Sequence, residues 1–190
     1  MDLVIASNNK HKVKEIRSIL SGKFDRIYSL ADLAIKVDPD ETAPDFRGNA
    51  MIKARAVSAF TDKAVLADDS GLEVLALNGA PGVHSARYAG EPCSDDANNE
   101  KLLKELKDAS NRSARFVTTI ALLFPTGETL FAEGEVKGEI LTEKRGKNGF
   151  GYDPLFYSFE LKKTFGEATD EEKNSVSHRG RALRNLLEKL

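Results

Sequence analysis

The chain has 190 residues, of which 41% are hydrophobic and 31% charged, with 14 Gly and 6 Pro, and these values exclude a disordered or collagen-like protein. Its 28 Lys and Arg against 30 Asp and Glu give a net charge of −2, so no global field draws nucleic acid or an anionic lipid surface, and any phosphate binding has to be local. One cysteine, Cys93, rules out an internal disulfide and a multi-thiolate metal site and fits a reducing compartment.

The length predicts one domain over residues 1–190, or one domain with two lobes. Leu3 to Ala6 is a buried-strand run, too short and too soon interrupted by polar residues for a signal peptide. No stretch approaches the roughly 18 apolar residues of a membrane span, so a soluble, cytoplasmic protein with no membrane partner is expected. After the loop Ser7 to Lys12, Val13, Ile16, Ile19 and Leu20 recur at helical spacing. A strand is expected over 26–30, then an acidic loop over 37–48 with Asp38, Asp40, Glu41 and Asp45, then a helix over 49–60.

Ala64 to Ala67 reads as a strand ending in a tight Asp68-Asp69-Ser70-Gly71, followed by the short apolar run Leu72 to Leu77. Ser94, with Asp95 and Asp96 behind it, starts a helix whose apolar side is Leu102, Leu103 and Leu106; its Asn98 and Asn99 read as solvated surface. Residues 116–124 and 128–135 form a hairpin about Pro125-Thr126-Gly127, with further β structure over 136–141. Leu183, Leu186, Leu187 and Leu190 mark a C-terminal amphipathic helix. Early helix–strand alternation with a late hairpin predicts an α/β fold with a mixed sheet.

Several sites of chemistry are absent: there is no P-loop, dinucleotide fingerprint or His-Glu-x-x-His, and the three histidines are far apart. A metal would therefore be oxygen-bound. Ser7-Asn8-Asn9-Lys10-His11-Lys12, between a strand and a helix, can hold an anion on free N–H groups and Lys12, or can be an ordinary turn with an Asn cap. In the Asp68-Asp69 doublet side chains alternate, so only one carboxylate faces any given site. With Glu41 upstream, the inventory matches magnesium, which takes one or two carboxylates plus substrate phosphates. Gly149-Phe150-Gly151-Tyr152-Asp153 offers close backbone approach, two aromatic faces and an acceptor, or else is a Gly-rich turn with anchoring aromatics. Lys173 to Arg179 packs donors ahead of the last helix, or is a helix cap with surface charges.

Taken together, Ser7-Asn8-Asn9-x-x-Lys12, Asn49-Ala50 with Lys53, Ala67 to Leu72, Gly79-x-Pro81-Gly82-x-x-Ser85-Ala86-Arg87-Tyr88, Gly149 to Pro154 and Ser177-His178-Arg179-Gly180 resemble the inosine triphosphate pyrophosphatase family. The resemblance spans Val4 to Leu187. It implies an elongated mixed sheet flanked by helices, two lobes with a substrate cleft between them, and a homodimer. The implied activity is hydrolysis of non-standard purine nucleoside triphosphates (ITP, dITP, XTP) to monophosphate and pyrophosphate, assisted by Mg²⁺.

Carried over by position, Ser7, Asn8, Asn9, Lys10, His11, Lys12 and Lys53 would take the phosphates, and Glu41 with Asp69 the metal. Asp69 would also accept the proton and Ser70 touch substrate, while Phe150, Gly151, Tyr152, Asp153, Lys173, His178 and Arg179 would surround the base. Lys and Arg only donate, which suits a 6-keto purine over adenine. Two positions depart from the family pattern: Asn8 stands where Gly is usual, tolerable because Asn accepts left-handed backbone, and Asn148 replaces the first of two glycines. The competing readings are a nucleotide sensor, which has no need of Glu41 and Asp69 together, and an RNA-binding protein, disfavoured by the charge.

Overall fold

The computed structural model describes residues 1–190. In chain order the elements are β1 (Leu3–Ile5), α1 (Lys10–Ile19), β2 (Ile27–Ser29), α2 (Phe46–Ser58), β3 (Ala64–Val74), α3 (Asp95–Glu105), β4 (Ser113–Leu123), β5 (Thr129–Ile140), β6 (Phe156–Ser158), β7 (Lys163–Thr164), α4 (Asp170–Val176) and α5 (His178–Leu187). The seven strands form one sheet in the order β2-β1-β3-β4-β5-β6-β7. Strand β1 pairs in parallel with β2 and β3, Leu3 opposite both Ile27 and Ala64, whereas β5–β6 and β6–β7 are antiparallel. The expected mixed α/β sheet is therefore present, and the contacts divide the chain into two compact units.

The first unit comprises Met1–Asp69, Thr118–Gly134 and Arg179–Leu190. Strand β1, the first half of β3 and residues 118–123 of β4 are buried on both faces, so their apolar positions run on without a break, and the period-two alternation sorts them. Leu3, Ile5, Ala64, Leu66, Ile120 and Leu122 pack with Val13 and Ile16 of α1 and with Leu183 and Leu186 of α5. The intervening Val4, Val65, Ala67, Ala121 and Leu123 pack with Ala50, Ala54 and Val57 of α2. Even positions of β3 thus face α1 and α5, and odd positions face α2.

The second unit, Ser70–Val117 and Glu135–His178, has one core built from Leu72, Val74, Leu102, Leu106, Val136 and Ile140 around three aromatic rings. The Phe116 ring lies 4.6 Å from that of Phe156 and 6.0 Å from that of Phe165, and His178 stacks on Phe116 at 4.8 Å.

Five features differ from the sequence expectation. Asp68 to Gly71 is not a turn, because β3 runs straight through it to Val74. Helix α2 begins at Phe46, where the Asp45 side chain accepts from the Gly48 N–H, and α5 begins at His178. The short strands β6 and β7 add an edge. Helix α4 is a further element, announced in the sequence by Thr169-x-x-Glu172, whose side chains cap one another's backbone N–H groups.

Phe156 is fully buried against two other rings, so Phe156→Ala is expected to destabilise the protein by about 3–5 kcal/mol through lost transfer energy and the cavity left behind, as read by chemical denaturation.

Candidate active site

The alternation of β3 decides where the two aspartates go. Asp68 continues the even set and meets α1 and α5: its Oδ2 lies 3.2 Å from Lys12 Nζ and accepts from Arg179 Nε at 3.2 Å and Nη2 at 3.1 Å. Arg179 Nη1 also donates to Glu15 of α1. Asp69 continues the odd set and meets α2: its Oδ1 accepts from Lys53 Nζ at 3.1 Å, and the same ammonium lies 3.3 Å from Glu41 Oε2. Both aspartates are buried, which only paired carboxylates can afford. Each face of the strand supplies its own cation, so the polar doublet needs no turn to reach water.

The same two faces split the acidity of two adjacent identical groups. Burial works to raise the Asp68 carboxyl, but Lys12, Arg179 and Lys53 overcome it and hold it well below the usual carboxylate range. Asp69 is pushed up to about 6, chiefly by burial and helped by the Glu41 charge, against the pull of Lys53 and Lys12. Burial lowers Lys12, the Asp68 charge opposing it, whereas Lys53 is raised because its three carboxylate neighbours outweigh its own burial. Asp69 Oδ2 is buried and finds no donor. With Glu41 it gives a two-carboxylate oxygen set, and no third His, Cys, Asp or Glu completes a protein-only cage. That donor set fits a magnesium-type cation finished by substrate phosphates. Ser70, the next residue of β3, is half-buried.

The Glu41 loop has no regular structure, yet it is held on both sides of Glu41. Asn8 Nδ2 donates to Val37 O at 3.0 Å, and the fully buried Asn49 accepts from Ala43 N at 2.9 Å through its Oδ1. Asn8 has no left-handed backbone, so its place there is earned by its side chain. Asn9 caps α1, its Oδ1 accepting from His11 N and Lys12 N, which is the helix-cap reading of this loop. Lys10 and His11 are exposed, and Ser7, Asn8, Lys10, Lys14 and Arg17 line a groove of about 410 Å³.

In the second unit the Phe150 loop is anchored from within. Asp153 Oδ2 accepts from Phe150 N at 3.0 Å and from Lys173 Nζ at 2.7 Å, and that ammonium sits 4.6 Å from the centre of the Phe150 ring. Gly149 has φ +73 and carries Asp153 so close that an added Cβ would lie 2.0 Å from Oδ2. Asn148 Nδ2 donates to Ala168 O at 3.0 Å, so this departure also carries a side-chain contact. Tyr152 is no stacking face: it is buried in the core, its hydroxyl donating to Ser85 O at 2.6 Å.

Asn98 and Asn99 are likewise not solvated; both are buried, tied to neighbouring backbone carbonyls. Their helix packs its polar side onto loops, which local periodicity does not reveal. Lys173, His178 and Arg179 are buried as well, Arg179 being 1% exposed with donors on Asp68 and Glu15. Glu15 and Asn49 were missed as members of the charge and loop network; Glu15 carried no signal beyond its place four residues before Ile19 on the α1 face, whereas Asn49 stood in a motif without a role.

A family model described as the Ham1 family matches residues 3–189. The chain belongs to the Ham1 family. Among curated Ham1 relatives, the dITP/XTP pyrophosphatase of Clostridium perfringens is 49% identical over 98% of this chain and 96% of its own, and that of Desulforamulus reducens 50% identical over 99% and 94%. The Ham1 protein of Staphylococcus aureus superposes with a TM-score of 0.88 at 44% identity, covering 100% of this chain and 97% of that one. A HAM1 protein from Coxiella burnetii gives 0.89 at 41% identity, covering 100% and 98%.

The two aspartates are expected to respond unequally to the same substitution. Asp68→Asn leaves the buried Arg179 and Lys12 short of a countercharge and should cost about 3–5 kcal/mol in denaturant unfolding. Asp69→Asn removes a carboxylate that burial already disfavours, so it should unfold within about 1 kcal/mol of the parent.

Proposed function

We propose that this chain hydrolyses non-standard purine nucleoside triphosphates, ITP, dITP and XTP, to the monophosphate and pyrophosphate, acting as one domain over residues 1–190. The observation that carries the reading is the pair of carboxylates, Glu41 and Asp69, gathered on Lys53 beside a raised, donor-less Asp69 oxygen. A sensor of nucleotides has no use for that pair, and the full-length similarity to dITP/XTP pyrophosphatases supports the same substrate class.

In this reading Glu41 and Asp69 hold Mg²⁺, which when bound neutralises phosphate charge as the leaving pyrophosphate forms. Lys12 and Lys53 attract the triphosphate, and Ser7, Asn8, Asn9, Lys10 and His11 line its approach, with Ser70 against the substrate. Asp69 accepts a proton from the water that attacks the α-phosphorus. Phe150 and Gly151, backed by Tyr152, Asp153 and Lys173, take the base, with His178 and Arg179 as further contacts. Donor-only groups favour a 6-keto purine.

The reading also includes a homodimer in the cytoplasm. No helix is long and apolar enough to cross a membrane, and Cys93 is an exposed free thiol, which suits a reducing compartment. In the second unit Leu75 and Phe159, 65% and 50% exposed, border an apolar groove of about 380 Å³ rimmed by Glu73, Arg115 and Lys137. This groove contains no candidate site residue, and its rim carries both charge signs, which lets the face pair with its own copy without like charges opposing. Leu75→Glu should convert the dimer to a monomer in size-exclusion chromatography with light scattering; an unchanged mass would remove this face from the interface.

A panel of ITP, XTP, dITP, GTP and ATP, with pyrophosphate and phosphate assayed separately, tests the function. Pyrophosphate as the product and preference for the first three substrates are expected, with activity lost in excess chelator. Asp69→Asn should lower kcat by a factor on the order of 10² to 10⁴. Release of single phosphate, or turnover without divalent metal, would refute the assignment.

A further inference from the structure

Helix α3 was not expected to matter to function, yet it grips one residue of the Phe150 loop by both of its backbone groups. Gly151 N donates to Asp95 Oδ2 at 2.8 Å, and Asn99 Nδ2 donates to Gly151 O at 3.0 Å. Asp95 and Asn99 are four apart, hence one above the other on the helix surface, so a single helical turn fixes the orientation of Gly151. Gly151 has φ +59 with open space where a Cβ would stand, so its exposed side is bare backbone that a ligand can approach closely.

Asn99 is an odd choice if the helix only packs. It is 2% exposed, and its Oδ1 is buried without a donor. An amide in that state costs stability, and an apolar residue of similar size would serve packing better. What the asparagine contributes is its bond to the Gly151 carbonyl. The neighbouring Asn98 fixes the adjoining loop in the same manner, Nδ2 to Ala86 O at 2.9 Å and Oδ1 from Ala89 N at 2.7 Å, and Tyr152 reaches that loop through Ser85 O. Phe150 is held on its other side by Asp153 and Lys173. Consecutive residues of the loop are thus fixed from different elements, with Gly151 depending on α3.

We infer that Asp95 and Asn99 are positioning residues for base recognition, setting through the Gly151 backbone where the Phe150 loop meets the purine. The inference rests on the assignment of that loop to the base. Its scope is discrimination among purines, because neither residue belongs to the unit that holds Asp69, Glu41 and Lys53.

The experiment measures kcat and KM for ITP and GTP on the wild type, Asp95→Ala, Asp95→Asn and Asn99→Ala. Asp95 is exposed, so its variants fold even if loss of the buried Asn99 proves disruptive. In Asp95→Ala the ratio of kcat/KM for ITP over GTP should fall about tenfold, mostly through a higher KM for ITP with kcat within about twofold. Asp95→Asn keeps an oxygen acceptor for the Gly151 N–H and should restore the ratio. Asn99→Ala should resemble Asp95→Ala. A proportional loss for both substrates in Asp95→Ala, or an unchanged ratio, would overturn the positioning role while leaving the assigned activity intact. A wild type with no preference for ITP over GTP would instead remove the assignment on which it rests.

Discussion

The first unit is organised by the need to neutralise two adjacent aspartates inside a strand. Burying one carboxylate is costly unless a cation and hydrogen bonds meet it, and burying two in succession demands this on both faces of the sheet. The answer reaches into every helix of the unit: Lys12 and Glu15 of α1, Lys53 of α2 and Arg179 of α5 converge on β3. Arg179 is where α5 begins its run beside the sheet, so the last helix is docked by a buried guanidinium as well as by its leucines. Removing that charge network would leave β3 with a reason to turn outward at Asp68.

From that constraint follows the division of labour between Asp68 and Asp69. Asp68 is surrounded by cations, remains ionised and is spent on structure. Asp69 bonds directly to one ammonium, Lys53, which it shares with Glu41, and burial outweighs the pull of Lys53 and Lys12, so its carboxyl becomes the more basic of the two. Two groups of one chemical kind are driven apart by environment alone, which is how acid and base roles are assigned in many active sites. The orphaned Asp69 oxygen and the paired Glu41 complete the picture of a site short of positive charge.

The second unit solves a different problem, keeping a glycine-rich loop in one shape. Gly149 and Gly151 both adopt positive φ, and glycine at these positions would leave the free chain many conformations. Asp153 and Asp95 accept from the Phe150 and Gly151 N–H groups and Asn99 donates to the Gly151 carbonyl, which removes that freedom, and the Tyr152 hydroxyl pins the next residue to Ser85. Asparagine recurs in this work across the chain: Asn8, Asn49, Asn98, Asn99 and Asn148 each tie a loop backbone with the side-chain amide. These amides do inside loops what ladder hydrogen bonds do inside sheets.

The sequence by itself determined the opening strand and helix, the cap at Ser94, the long hairpin and the alternation that separates Asp68 from Asp69, because all of these are written in periodicity and in residues a few positions apart. The order of its motifs also pointed to the family. Only the tertiary structure decided that Asp68 to Gly71 stays in a strand, since the partner that makes this possible, Arg179, lies 111 residues away. The same holds for Asn98 and Asn99, polar residues on a polar helix face that long-range packing buries, and for Tyr152 and Asp153, which composition offered to a ligand and the fold uses to hold the loop. Local sequence specifies which groups a segment carries; whether a buried polar group is allowed depends on a partner supplied by distant chain, and that is settled only when the chain is folded.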